Sequence, residues 1–315
     1  MRKIWKLLKA HFQADFDPGT YGTVLLFLAA SIFLNYSISL ENGIIDRYFG
    51  KPVRMLWYFL LYSGAYFGVT IIVFTFKRSF HHFRSPRYWL IVLFGLIILS
   101  VNVGFPYLSK ITHLIAPGGG QVYRWTFGVV NNIINFFIEA LPMFAMAWFF
   151  EKKRENFGIN TTNVDLKPYW QILMVVFPLV LIASFESGFS NYYPIYRRYE
   201  ITDLNNTTDV PAWLYAVGFE LAYGADFFNI EFLFRGLLVI GVSQVVGKEA
   251  ILPMVGVYCA LHFGKPVGEC ISSVFGGYIL GVAAFYTRNI WGGVIVHVGL
   301  AWMMEAVAIV RRMSV

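Results

Sequence analysis

The chain has 315 residues, of which 57% are hydrophobic and only 14% are charged, and its formal net charge is +7. This composition excludes an ordinary soluble domain, in which about a quarter of the residues are charged. The basic excess does not indicate a nucleic-acid-binding protein, because no polar segment combines a basic face with aromatic stacking positions. The sequence therefore predicts an all-α, polytopic transmembrane helix bundle whose surroundings are the lipid bilayer.

Apolar runs that can cross a membrane follow one another along the whole chain. Because one crossing needs about 20 apolar residues, we predict about eight or nine crossings. The runs cover residues 21–40, 55–76, 89–108, 127–150, 169–189, 212–246, 251–263, 271–286 and 290–310. The run 212–246 is long for one straight helix and 251–263 is short for a full crossing, so we expect a tilt, a break or a partial span there.

The basic residues predict the orientation of the chain in the membrane. Arg2, Lys3, Lys6 and Lys9 precede the first apolar run, and no short apolar core with a small-residue cleavage site follows them. A removable signal peptide is therefore not expected. The N-terminus and the alternate connections are richer in Lys and Arg than the other connections, which predicts a cytoplasmic N-terminus. We divide the chain into a cytoplasmic basic segment (1–19), N-terminal transmembrane helices (20–210) and a polar-rich C-terminal helical core (211–315).

Two opposite charges lie inside the first apolar run of that core. Glu231 and Arg235 stand four residues apart, on one face of a helix, so each can neutralise part of the charge of the other. A charge pair at membrane depth is costly, and intramembrane ionisable residues mark functional sites by default.

Two histidines extend this pair into a candidate hydrolytic site. His262 and His297 each follow in an apolar run of their own. A desolvated carboxylate such as that of Glu231 can act as a general base, and imidazoles can hold the attacking water or stabilise an oxyanion. Alternatively, Glu231, His262 and His297 could bind a divalent metal such as zinc through three ligands. The tight HExxH spacing is absent, so such ligands would come from three separate helices.

The order and spacing of these residues resemble a known family. Glu-x-x-x-Arg from Glu231, aromatic-x-x-x-His from Tyr258 and His-x-x-x-small from His297 are similar to the motifs of the CAAX protease and bacteriocin-processing (CPBP or ABI) family of intramembrane endopeptidases. The resemblance covers about residues 212 to 311. It implies peptide-bond hydrolysis in a membrane-associated protein or peptide, with CAAX-type processing as the name-giving case. The implied roles are base or orienter for Glu231, holder of that Glu for Arg235, binder of water or metal for His262 and oxyanion stabiliser for His297.

Two positions depart from the family pattern. The family's first motif usually reads Glu-Glu-x-x-x-Arg, with the first Glu taken as the water-activating residue. This chain has Ile230 in that place and keeps only the second Glu, Glu231. The third motif usually ends in Asn or Asp, where this chain has Ala301. The sequence leaves open whether another carboxylate replaces the missing group. Asp226 lies one turn before Ile230, Glu269 follows His262, and Glu305 lies two turns beyond His297.

Each of these three carboxylates also has a structural interpretation. Asp226 could hydrogen-bond a helix break, Glu269 could cap a helix that begins near Ile271, and Glu305 could pair with Arg311 or Arg312.

Three functions remain open at this level. The first is a CPBP-type peptidase. The second is a catalytically impaired relative that binds or escorts a membrane partner, with Glu231 and Arg235 as a structural ion pair. The third is a proton-coupled transporter, because buried carboxylates and histidines also form proton relays; it would carry inverted repeats, and none is visible.

The remaining polar residues have simpler interpretations. Cys259 and Cys270 lie in apolar context without CxxC spacing, which predicts packing residues and no disulfide. Glu139, Glu186 and Glu220 are interpreted as isolated packing or pairing residues. The sequon at 205–208 is interpreted as part of a polar loop.

Overall fold

A computed structural model describes residues 2–150, 156–161, 164–195 and 210–313. Over these residues the chain is helical and contains no strand, which confirms the predicted all-α bundle. The α-helices are α1 (Arg2–Asp15), α2 (Pro18–Ile38), α3 (Val53–Lys77), α4 (Pro86–Val103), α5 (Leu108–Ile115), α6 (Gly120–Phe150), α7 (Lys167–Ala183), α8 (Ser187–Tyr192), α9 (Ala212–Glu231), α10 (Ser243–Val246), α11 (Ile251–Ala260), α12 (Val267–Thr287) and α13 (Trp291–Met313). Two π-helical segments, Leu40–Ile45 and Phe232–Gly241, lie between them.

Among the described residues, 7 helical stretches are long and apolar enough to cross a membrane. The chain is thus an integral, multi-pass membrane protein. The number is lower than the predicted eight or nine for two reasons. Helix α7 has only 17 residues, and the runs 212–246 and 251–263 merge into one apolar helical stretch, Trp213–Ala260. Gly247, with a φ of 61°, interrupts the regular helix within this stretch. The cytoplasmic side of the N-terminus stays a prediction.

The helix ends follow from local sequence signals. Pro18 occupies the first turn of α2, and the Asp17 side chain accepts the Thr20 N–H at 2.7 Å. Ser85 caps α4 in the same way ahead of Pro86. Such caps satisfy backbone N–H groups that have no partner inside the helix. Helices α3 and α12 end at residues in the left-handed conformation, Arg78 and Arg288.

The stretch from α9 to α11 forms the centre of the bundle. In its most apolar window 72% of the residues are buried, against 17% for α2. Helices α3, α4, α6, α12 and α13 pack around it. A central, protein-covered helix can carry polar residues at membrane depth, since other helices rather than lipid surround them.

A π-helical turn places the candidate residues in this centre. Phe232–Gly241 is wound as a π-helix, with the Val242 N–H donating to the Leu237 carbonyl at 3.1 Å, and all ten of its residues are buried. Glu231 precedes the segment and Arg235 lies inside it. π-Helical turns are rare and occur frequently at functional sites.

Candidate active site

Glu231 is the last residue of α9 and its side chain is fully buried. Its Oε1 lies 2.8 Å from Nη1 of Arg235, one turn further along the chain, and the same oxygen accepts a hydrogen bond from Nδ1 of His297 on α13. Two of the motifs therefore meet at one carboxylate oxygen. The other oxygen, Oε2, is buried and has no hydrogen-bond partner in the described structure.

His297 connects this carboxylate to a tyrosine hydroxyl. Its Nε2 lies 2.5 Å from the Tyr258 hydroxyl of α11. Since Nδ1 must donate to the Glu231 carboxylate, Nε2 carries the lone pair and the Tyr258 O–H donates to it. Phe227 stacks on the imidazole, with ring centroids 5.9 Å apart and 14° between the planes. Glu231, His297 and Tyr258 thus form a continuous hydrogen-bonded relay across α9, α13 and α11.

Tyr258 also contacts the two other candidate residues. The guanidinium carbon of Arg235 lies 4.4 Å from the centre of the Tyr258 ring, and the ring of His262 packs edge-on against it at 4.7 Å. The face of an aromatic ring attracts a cation. Tyr258 therefore lies between Arg235, His262 and His297 and joins the three motifs. Within its own motif, the sequence indicated only His262 as a site residue.

His262 is oriented by its own helix end. Its Nδ1 lies 2.8 Å from the Tyr258 carbonyl oxygen, to which it must donate, and only 8% of the residue is exposed. The proton on Nδ1 makes Nε2 the nitrogen with a lone pair. His262 can therefore accept a proton or hold a water molecule through Nε2, without breaking the bond that orients its ring.

Arg235 is a buried cation with few partners. Its side chain is 1% exposed. Although Nη1 is near Glu231, none of the guanidinium nitrogens makes a hydrogen bond of acceptable geometry within the described structure. A buried charge of this kind is costly unless it is paired. The Glu231 carboxylate and the Tyr258 ring supply that compensation.

Gly293 provides the space for the carboxylate. It lies on α13 one turn before His297, and a Cβ atom at this position would overlap the Glu231 carboxylate. The absence of a side chain lets α13 approach α9 closely enough for the bond between His297 and Glu231. The sequence offered only a weak signal for this role, a Gly one turn before the motif histidine.

The three carboxylates considered as replacements have surroundings of their own in the described structure. Asp226 has a buried Oδ1 without a hydrogen-bond partner, and its charge acts on Glu139 of α6. Glu269 pairs with Lys265 at 2.6 Å and accepts the Tyr193 hydroxyl at 2.8 Å. It lies close enough for its charge to act on His262. A role for Asp226 or Glu269 in the reaction stays a prediction.

Glu305 lies away from the relay. Both of its carboxylate oxygens accept the Ile195 N–H, at 2.8 and 3.0 Å. The expected pairing with Arg311 or Arg312 is not what the structure shows. Arg312 donates to the Tyr193 carbonyl at 2.9 Å, and Arg311 lies over the Phe185 ring.

The expectation that Glu269 caps a helix was wrong, because Glu269 lies inside that helix. Helix α12 begins at Val267, ahead of the predicted start near Ile271, and its N-terminus has no side-chain cap. Glu269 lies in the first turn, where a negative charge is favourable next to the N–H groups of the helix.

The described residues contain no group of three or more His, Cys, Asp or Glu side chains placed to hold a metal ion. Both ring nitrogens of His297 are engaged by Glu231 and Tyr258. Joint coordination of a metal by Glu231, His262 and His297 would require His297 to give up its hydrogen bond to Glu231 or to Tyr258. Such a metal site stays a prediction. The cysteines are free and buried, with Sγ of Cys259 3.9 Å from Sγ of Cys270.

The other three glutamates differ in their surroundings. Glu139 accepts the Asn102 amide through Oε1 at 2.6 Å, while its Oε2 is buried without a hydrogen-bond partner among the described residues. Both carboxylate oxygens of Glu220 are buried and lack such a partner there as well. Glu186 caps α8 by accepting the Phe189 N–H. The sequon at 205–208 lies outside the described residues.

Comparison with known proteins agrees with this arrangement of motifs. Residues 212–303 match the family model "Type II CAAX prenyl endopeptidase Rce1-like". Neither a search of curated proteins nor a search of solved structures found a match. The matched range contains all three motifs and ends before Glu305. The similarity over residues 212–303 is consistent with a divergent member of the CPBP family of CAAX-type endopeptidases.

Proposed function

We propose that the chain is a CPBP-type intramembrane endopeptidase that hydrolyses a peptide bond of a membrane-associated protein, with CAAX-type processing as the narrower form of the hypothesis. One observation carries this proposal: a fully buried carboxylate, Glu231, orients an imidazole, His297, whose second nitrogen binds the hydroxyl of Tyr258. A carboxylate that fixes the tautomer of a histidine next to a hydroxyl is the recurring logic of hydrolytic triads. The match over residues 212–303 supports the same reaction class.

The arrangement suggests a division of roles. His262 takes a proton from the attacking water through Nε2, while the water oxygen adds to the carbonyl carbon of the substrate. The Tyr258 hydroxyl, released from His297, donates to the resulting oxyanion, and the Arg235 cation lies behind the Tyr258 ring. Protonated His262 then passes its proton to the amide nitrogen as the C–N bond breaks. Each group acts inside a buried site, where charge stabilisation is strong.

The hydroxyl of Tyr258 is the distinctive part of this proposal. The family usually has Phe at this place, and this chain lacks the family's polar residues at Ile230 and Ala301. Both side chains are hydrocarbons, so neither position contributes a polar side-chain atom. Ala301 is 1% exposed and Ile230 packs against the core. We assign the Tyr258 hydroxyl as the group that compensates for them, because it is bonded to the motif histidine.

The test uses the purified full-length protein in proteoliposomes and a library of quenched fluorescent transmembrane peptides. Tyr258→Phe removes only the hydroxyl, and we expect cleavage to fall about 100-fold. Tyr107→Phe removes the same atom from an exposed residue outside the site and should leave the rate unchanged. The proposal would be contradicted if the unsubstituted protein cleaved no peptide, either with zinc or with a chelator.

A second candidate is a non-catalytic relative that binds a membrane partner. Ile230 and Ala301 favour it, and so does the closed set of contacts in which Glu231 and Arg235 neutralise each other and His297 hydrogen-bonds the same carboxylate. This candidate predicts retention of particular library peptides without cleavage, and the same affinity for Tyr258→Phe. Proton uptake on addition of substrate to the liposomes, lost in Glu231→Gln, would instead indicate the transporter.

A further inference from the structure

The residues directly after His262 are held by the N-terminal part of the chain. His262 lies in the turn between α11 and α12, beyond the last helical residue, Ala260. The Asn35 side chain of α2 donates from Nδ2 to the Phe263 carbonyl at 3.0 Å, and the Tyr36 hydroxyl donates to the Lys265 carbonyl at 2.6 Å. Two adjacent residues of α2 thus bind main-chain groups on both sides of Gly264.

Glu41 lies directly beside the residue between them. A Cβ atom on Gly264 would lie only 2.9 Å from Oε1 of Glu41, so only a glycine leaves room for the carboxylate here. The Glu41 N–H in turn donates to Oδ1 of Asn35 at 3.2 Å. Asn35 and Tyr36 therefore bind residues 263 and 265, and Glu41 packs against residue 264 between them. We call these three side chains the α2 clamp.

Further polar groups brace the clamp from behind. The Tyr58 hydroxyl lies 3.3 Å from Oε1 of Glu41 and donates to Asp46 at 2.8 Å. Arg54 donates to the same Asp46 oxygen from two nitrogens, at 3.1 and 2.7 Å. The Glu41 carboxylate thus has a defined position, which a flexible surface residue would not have.

We propose that Asn35, Tyr36 and Glu41 are positioning residues for His262. On the N-terminal side, the His262 ring is held by its hydrogen bond to the Tyr258 carbonyl. On the C-terminal side, the chain has left the helix, so the backbone after His262 is held in place by the clamp. These residues lie outside the range matched by the family model, 212–303. The first membrane helix would therefore complete the site as well as anchor the chain. The role of His262 as a reacting group rests on the proposed function, whereas its positioning does not.

The test measures the position of His262 without any substrate. Tyr36→Phe and Glu41→Gln each change a single atom or group, and Tyr36 is partly exposed, so folding should be preserved. Hydrogen exchange of the amides in 261–266 should become about fivefold faster in Tyr36→Phe, the factor that corresponds to one lost hydrogen bond. It should also become faster in Glu41→Gln, which removes the carboxylate charge beside Gly264. The double variant should show a larger increase. Tyr107→Phe should show none.

A second measurement follows His262 itself, through its rate of modification by diethylpyrocarbonate relative to the exposed His113 in the same sample. We expect this ratio to rise in Tyr36→Phe at an unchanged thermal midpoint, and to rise in Glu41→Gln without faster exchange in the other helices. Unchanged exchange and reactivity in both variants, or a uniform acceleration of exchange over all helices, would overturn the positioning role. In a cleaving preparation, both variants should lower kcat with little effect on KM. A preparation that does not cleave peptides contradicts the proposed function, but leaves the exchange experiment able to decide.

Discussion

Replacing Arg235 by methionine removes the cation that lies next to the buried Glu231 carboxylate. The two side chains are 1% and 0% exposed, and their charged atoms are 2.8 Å apart. Removing one partner of such a buried pair costs about 3–5 kcal/mol, because it leaves an uncompensated charge in a medium of low dielectric constant. Loss of the cation–π contact with Tyr258, of about 0.5–2 kcal/mol, is contained in that figure.

The matched double variant separates the charge from the packing. Glu231→Gln together with Arg235→Met leaves two neutral side chains of similar volume, and such replacements are often neutral in stability. We therefore expect the double variant to unfold within about 1–2 kcal/mol of the original protein, and clearly later than Arg235→Met alone. The assay is equilibrium unfolding in mixed micelles as SDS is increased. Effects of the two substitutions that add within about 0.5 kcal/mol would show that Glu231 and Arg235 are not coupled, and would refute the reasoning.

Two further predictions concern the surroundings of the site. Gly293→Ala should destabilise the protein by about 1–3 kcal/mol in the same assay, because the methyl group overlaps the Glu231 carboxylate. Gly276→Ala, where a Cβ meets nothing within 4 Å, should be neutral or slightly stabilising, and equal effects of the two would contradict the close approach of α13. Burial, together with the nearby Asp46 charge, raises the pKa of Glu41 to about 7. Between its ordinary value and 7 the folded protein then binds more protons than the unfolded chain, so stability should fall as the pH rises through this window. The thermal midpoint of Glu41→Gln should not show this fall with pH, and parallel pH profiles of the two proteins would contradict the prediction. The ionisable groups that interact electrostatically with Glu41 are Tyr36, Asp46, Arg54, Tyr58, Tyr62 and Cys270.

The sequence predicted the parts of the site that depend on local spacing. Glu231 and Arg235 meet because residues one turn apart share a helix face, a property that the sequence states directly. The apolar runs likewise predicted the membrane-crossing helices, apart from the short α7 and the merger of two runs into Trp213–Ala260. The three motifs were visible because each combines polar residues with apolar surroundings.

The contacts between motifs could not be predicted in this way, because they depend on how distant helices pack. The hydrogen bond from Tyr258 to His297 joins α11 to α13, and the role of Gly293 exists only at that approach. Glu305 was expected to find an arginine near it in sequence, but the fold brings a backbone N–H of Ile195 to it instead. The α2 clamp joins residues more than two hundred positions apart, and no periodicity in the sequence indicates it.

The central claim is that a buried relay from Glu231 supports hydrolysis of a peptide bond by water. The most direct measurement is mass spectrometry of transmembrane peptides incubated with the purified protein in water enriched in ¹⁸O. The Glu231→Gln variant is measured in parallel. Glu186→Gln, which changes a carboxylate outside the site, is the control. The account predicts peptide pairs cut at one bond, one ¹⁸O in the new carboxylate, and a rate at least about 100-fold lower in Glu231→Gln alone. Intact peptides in every sample, or cleavage that Glu231→Gln leaves undiminished, would contradict it.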